Sequence, residues 1–131
     1  MDGPGVEREM NRFADLLTTR PQEIWGGVIA RAIHGDRVTL SVVELDPNTV
    51  IPEHSHDNEQ VGMVVVGSLL FRIEDESRAL RAGGAWCIPA STPHEVTTGS
   101  LGAVVIEVFS PPRTDWHGIE AQEERRPRWP A

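Results

Sequence analysis

A chain of 131 residues fits one domain with a real core, and its 39% hydrophobic and 24% charged residues are ordinary for a globular protein. A formal charge of −8 argues against nucleic acid or an anionic membrane surface as partner. No apolar run approaches the ~20 residues that a spanning helix needs, and the first residues lack the pattern of a secretory leader, so cytoplasmic residence is expected.

The chain opens on Val6, Met10, Phe13 and Leu17, spaced by three and four, which predicts a short amphipathic helix. Pro21 ends it, because a proline disfavours helical geometry at the residue before it. From Ile24 the pattern changes to short β-like runs, among them VTLSVVEL, VGMVVV, SLLFRI, AWCI and AVVIEVF, separated by Gly, Pro, Asp and Asn. Many closely spaced strands with such punctuation, and no helical stretch between them, predict an all-β sandwich or barrel rather than a parallel α/β sheet. Cys87, the one cysteine, lies in the apolar run AWCIP and is expected to be a buried, inert thiol. The last stretch, Ser110 to Ala131, is Pro-rich and charged and reads as an extended arm. Trp116 and Trp129 suggest that this arm packs on its own barrel or on a partner subunit. The expected division is a helical segment over 1–22, a β domain over 23–113 and an arm over 114–131.

Three of the five histidines fall in two clusters. In PEHSHDNEQVG, His54 and His56 are two apart and would share a face of an extended strand, and Gln60 has the same parity whereas Glu59 has the opposite one. In GGAWCIPASTPHEV, Pro89 and Pro93 bracket a turn and His94 begins the next strand. Three imidazoles and one amide oxygen make a plausible site for a single divalent transition metal, with Zn, Ni, Mn, Fe and Cu all compatible. Further on, Val105, Glu107 and Phe109 alternate onto one strand face. A carboxylate in that row is costly to bury unless it meets a cation or a substrate proton. Arg113 follows two prolines and would suit a substrate carboxylate. Trp25, Trp86 and Met63 are candidates for pocket lining or for packing, Asp115 and Trp116 for closing the mouth of the site, and His34 and His117 are read as non-ligands.

The two histidine clusters resemble the paired motifs of the cupin superfamily. His54-x-His56, three residues, Gln60, six residues, Gly67 keeps the spacing of the first motif, with Asn48 where its opening glycine belongs and Gln60 in place of the usual glutamate. Gly83, Pro89 and His94 keep the spacing of the second, with Ser91 and Thr98 as substitutions. The resemblance implies a single cupin barrel (a double-stranded β-helix, or jelly roll) with metal on His54, His56, Gln60 and His94. The HSH-to-Gln pattern and the later FSPPR stretch are similar to the small cupins of pectin and alginate breakdown that linearise 4,5-unsaturated uronates. That resemblance implies active-site positions for Phe109 and Arg113, and Glu107 stands where the subgroup carries aspartate. It also implies a homodimer formed through an outer sheet, for which Met63 and Val65 have suitable parity. The expected function is a metal-dependent enzyme for a small enolisable carbohydrate or acid, in which Glu107 moves a proton. Alternatives are a metal-dependent dioxygenase of a small aromatic or diketone, and a non-catalytic sugar-binding or sensory cupin.

Overall fold

The computed structural model describes residues 12–130. Eight strands follow one another: β1 (Gln22–Trp25), β2 (Val28–His34), β3 (Thr39–Leu45), β4 (Val50–His54), β5 (Glu59–Ile73), β6 (Glu76–Arg81), β7 (Ala85–Ile88) and β8 (His94–Ser110). A 3-10 turn over Thr114–Gly118 is the one helical element among the described residues. The all-β expectation is therefore met, and no described helix is long and apolar enough to cross a membrane.

The strands pair antiparallel in the order β1-β2-β3-β8-β5-β6, with β4 added to β8 and β7 to β5. Two runs that look separate in sequence on either side of Gly67 are one strand, β5, and two on either side of Gly99 to Gly102 are one strand, β8. These long strands form the spine and change neighbours halfway. β5 pairs β7 through Gln60–Met63 and β6 through Ser68–Ile73, while β8 pairs β4 through its first residues and β3 through its last. The change falls at Gly67 and Gly102, both at positive φ (79° and 66°), where the Gly102 carbonyl lies against the Gly67 Cα and the Leu45 carbonyl against Gly102. A side chain at either position would clash with backbone, so the bend needs glycine. One core cluster draws Val28, Val43, Val64, Phe71, Ile88 and Val105 from five strands.

The four glycine positions of the paired motifs share a backbone state. Gly67 and Gly83 have φ of 79° and 94°, and the two replaced positions, Asn48 and Ser91, keep φ of 54° and 60°. Asparagine is the non-glycine residue that tolerates this region best, whereas serine carries strain there. Thr98, where the second motif has asparagine, is buried; its hydroxyl accepts from the Thr49 N–H at 2.9 Å and donates to the Asp46 carbonyl at 2.7 Å. It ties β8 to the turn before β4.

Three expectations need correction. The N-terminal helix is not present where the chain is described: residues 12–21 form a turn, and Phe13 and Leu17 are exposed at 91% and 59%, while Val6 and Met10 lie outside the described residues. The spacing is helical, but Phe13 and Leu17 find no apolar surface, and tertiary burial is what sustains a short helix. Cys87 is exposed, because alternation on β7 sends Trp86 and Ile88 inward and Cys87 outward. Finally, His54 and His56 do not share a strand. β4 ends at His54, His56 sits in the following loop, and β5 begins at Glu59.

The arm packs on the chain's own sheet. Arg31 is wholly buried on the outer side of β2 and donates to Glu44 at 2.7 Å and to the Arg125 carbonyl at 3.0 Å. Glu44 also accepts the Arg128 N–H, and Arg128 reaches the carbonyls of Leu45 and Leu101. Trp116 is buried in the core cluster and Trp129 is half-buried.

Candidate metal centre and its pocket

β4 delivers His54, the loop after it His56, the start of β5 Gln60, and the first residue of β8 His94. His54 and His94 are register partners across the β4–β8 pair. The three imidazoles each offer a nitrogen, and these nitrogens all lie within 4.8 Å of one another.

Each ring is held the same way. The Nδ1 of His54 lies 2.9 Å from the Pro52 carbonyl, that of His56 3.0 Å from the Asn58 carbonyl, and that of His94 2.8 Å from the Thr92 carbonyl. A carbonyl only accepts, so Nδ1 carries the proton in each ring and Nε2 presents a lone pair. His94 is 1% exposed and its Nε2 has no hydrogen-bond partner. His56 Nε2 lies 2.9 Å from Gln60 Oε1, so two lone-pair atoms face each other. A buried Nε2 without a donor and two converging acceptors are what a cation would satisfy. The residues present therefore fit a divalent metal, with backbone carbonyls fixing the ligand tautomers. Burial lowers the pKa of His94 to about 4 and also lowers that of His56, with the Arg113 charge adding to both, so both rings stay neutral ligands near neutral pH.

Gln60 turns inward, but not through a parity shared with His54 and His56 on one strand. The strand breaks between His54 and Glu59, yet Gln60 is 6% exposed and Glu59 faces solvent. The orientation of Gln60 comes from β5, where it pairs Ile88 and Phe109.

Val105, Glu107 and Phe109 do share the inner face of β8, at 3%, 8% and 1% exposure. Glu107 Oε2 accepts from the Gln60 amide nitrogen. Desolvation raises the Glu107 pKa to about 7, against the opposing pull of the Gln60 donor and the Arg113 charge. Its strand partner on β5 is Gly62, where an added Cβ would come within 2.6 Å of the Trp86 ring. The missing side chain lets the indole lie beside the carboxylate's strand.

Arg113 lies between two rings, its guanidinium carbon 4.7 Å from the Phe109 centroid and 4.6 Å from that of Trp116. Asp115 accepts from its Nε at 3.0 Å and from its Nη2 at 2.9 Å, which lowers the Asp115 pKa. Nη1 makes no hydrogen bond within the described residues, and the two rings and the Asp115 fork hold the planar group in place. One cavity of about 260 Å³ takes in the three histidines, Gln60, Glu107, Phe109 and Arg113, with Trp25, Trp86, Asp115 and Trp116 also on its wall. Met63 is not among its lining residues and is 41% exposed. His34 and His117 stack edge to face at 4.8 Å, away from the histidine triad.

Two contributors went unnoticed in the sequence. Asn58 accepts from His56 with its backbone and donates its side-chain amide to the carbonyls of Pro111 and Pro112, tying the His56 loop to the segment that carries Arg113. Thr39, wholly buried, accepts the Arg113 N–H at 2.9 Å. A lone Asn or Thr carries no such signal in sequence; the role of Thr39 appears only in the register of β3 with β8, and that of Asn58 only in the packing of its loop against Pro111 and Pro112.

The sheet order and a histidine triad that could hold a metal ion are those of a cupin-type β-sheet protein, and the chain belongs to the cupin family: residues 41–109 match the Cupin domain family. It is 32% identical over 109 residues to the pectin degradation protein KdgF of Dickeya dadantii, covering 82% of this chain and 99% of that one. It is also similar to the solved structure of KdgF from Halomonas sp., at 30% identity and a TM-score of 0.68, covering 72% of this chain and 88% of that one. An RmlC-like cupin from Shewanella frigidimarina shares the fold, with a TM-score of 0.75 at 24% identity over 80% of this chain and 95% of that one.

Proposed function

We propose that this protein is a metal-dependent enzyme that linearises 4,5-unsaturated uronates, with His54, His56, Gln60 and His94 as ligands of one divalent ion. The observation that carries the reading is the convergence, in one cavity, of three imidazoles with unprotonated Nε2 atoms, a buried carboxylate and a stacked guanidinium. Similarity to two proteins named for pectin degradation or as KdgF points the same way. A bound ion, be it Zn, Ni, Mn, Fe or Cu, supplies Lewis acidity toward a substrate hydroxyl or enolic oxygen. Arg113 binds the uronate carboxylate through its unused Nη1 edge. Glu107, on the wall of the same cavity, transfers the proton as general acid or base through its second oxygen. Phe109 and Trp116 hold the planar guanidinium of Arg113 in place and exclude water from its faces.

Incubating metal-loaded protein with unsaturated galacturonate or mannuronate and following ultraviolet absorbance tests this. The enzyme reading predicts loss of absorbance faster than the no-enzyme control, abolished in Glu107→Gln. No acceleration with any divalent metal contradicts it. The apolar part of the cavity wall, from Val28, Leu45, Leu69 and Phe71, favours a second reading, a dioxygenase of a small aromatic or diketone. Oxygen consumption separates the two, since linearisation uses none. We also propose a cytoplasmic homodimer, supported by exposed Leu40, Val61, Met63 and Val108 on paired strands β3, β8 and β5. Light scattering at the mass of two chains would support it, and the mass of one would contradict it.

A further inference from the structure

We infer that Glu107 is a positioning residue for metal binding: it fixes the Gln60 amide so that Oε1, and not the NH2 group, faces the histidine triad. A primary amide is nearly symmetric in shape, so its orientation is chosen by its hydrogen-bond partners. One neighbour of Gln60 is His56 Nε2, 2.9 Å from Oε1. Because Nδ1 of that ring donates to the Asn58 carbonyl, Nε2 is an acceptor. On its own, His56 would draw the NH2 group of Gln60 toward itself, which would turn a donor to the place where a cation needs an oxygen. The other neighbour is Glu107, whose Oε2 takes the amide N–H on the far side. With Gln60 and Glu107 at 6% and 8% exposure, water is a poor substitute for either partner. The carboxylate is therefore what holds the amide in its metal-facing orientation. The added length of a glutamate side chain lets it span from β8 to the amide on β5, where Gln60 and Glu107 lie diagonally across the pair formed by Gly62–Glu107 and Gln60–Phe109.

This rests on the metal reading above and assigns Glu107 a task separate from proton transfer. It also separates from a plain charge effect, since a carboxylate acting only through its charge would strengthen cation binding whether or not residue 60 has an amide. The test is the affinity for Zn²⁺ alone, by competition with a chromophoric chelator, in the wild type, Glu107→Leu, Gln60→Ala and the double variant; leucine, unlike glutamine, leaves no oxygen to accept the Gln60 N–H. Outer partners of metal ligands typically contribute about 10- to 100-fold in affinity. The inference predicts a loss of about tenfold or more for Glu107→Leu in the wild-type background, and less than about twofold for the same change in the Gln60→Ala background. Glu107→Asp keeps the charge, draws the oxygens back by one methylene, and is predicted to weaken binding as well. An undiminished affinity in Glu107→Leu, or an equal loss with and without Gln60, overturns the inference. Failure of the wild type to bind Zn²⁺ is a distinct outcome, which removes the metal reading and this inference with it. Thermal unfolding of each variant in EDTA identifies any that does not fold, and Glu107→Asp then decides in place of Glu107→Leu.

Discussion

Replacing Glu107 with glutamine removes a buried ionisable group from the inner face of β8 while keeping the shape of the side chain. In the wild type, burial raises the Glu107 pKa from 4.5 to about 7. Between those values the native state holds a proton that the unfolded chain has already released. The unfolded state then binds fewer protons, so native stability falls as pH rises through the window. Glutamine has nothing to titrate. Stability of Glu107→Gln relative to the wild type should therefore grow between pH 4.5 and 7 and level off above, by about 3 kcal/mol in total at roughly 1.4 kcal/mol per pH unit. The assay is urea unfolding of both proteins in EDTA at half-unit steps from pH 4.5 to 8, read as the difference between them. The histidines are common to both proteins and largely cancel in that difference. A difference that stays flat would mean that Glu107 ionises as it does in water, and the argument from desolvation would be wrong.

Other predictions follow from separate parts of the molecule. Ser91 holds a left-handed backbone at φ 60° where the motif has glycine, so Ser91→Gly should relieve strain and stabilise by up to about 1 kcal/mol, measured by thermal unfolding. A lower melting temperature would show that the serine side chain contributes more than it strains. Arg113→Lys loses the flat group stacked between Phe109 and Trp116 and its bidentate hold on Asp115. KM for an unsaturated uronate should rise about tenfold or more with kcat less affected, and an unchanged KM would remove Arg113 from substrate binding.

Much of this site is legible in the sequence because metal ligation needs particular residue types at fixed spacings. His54, His56, Gln60 and His94 do converge, as the motif spacing implies, and Glu107 and Phe109 do face inward, as alternation along AVVIEVF implies. What the sequence could not convey is pairing between distant strands. Gln60 and Glu107 meet only because β5 and β8 run side by side, and Thr39 reaches Arg113 only because β3 flanks β8. The same limit explains the misread N-terminal segment and Cys87. Periodicity shows which residues share a face, but whether that face is covered depends on neighbours, and none covers Phe13, Leu17 or Cys87.

The central claim is the shared cation, and the most direct measurement is metal content by mass spectrometry after stripping, reloading with each divalent ion and desalting. The account predicts one ion per chain for at least one metal in the wild type, and far less in His94→Ala, which removes the buried Nε2 that has no other partner. No stoichiometric ion in the wild type, or full retention in His94→Ala, would contradict it.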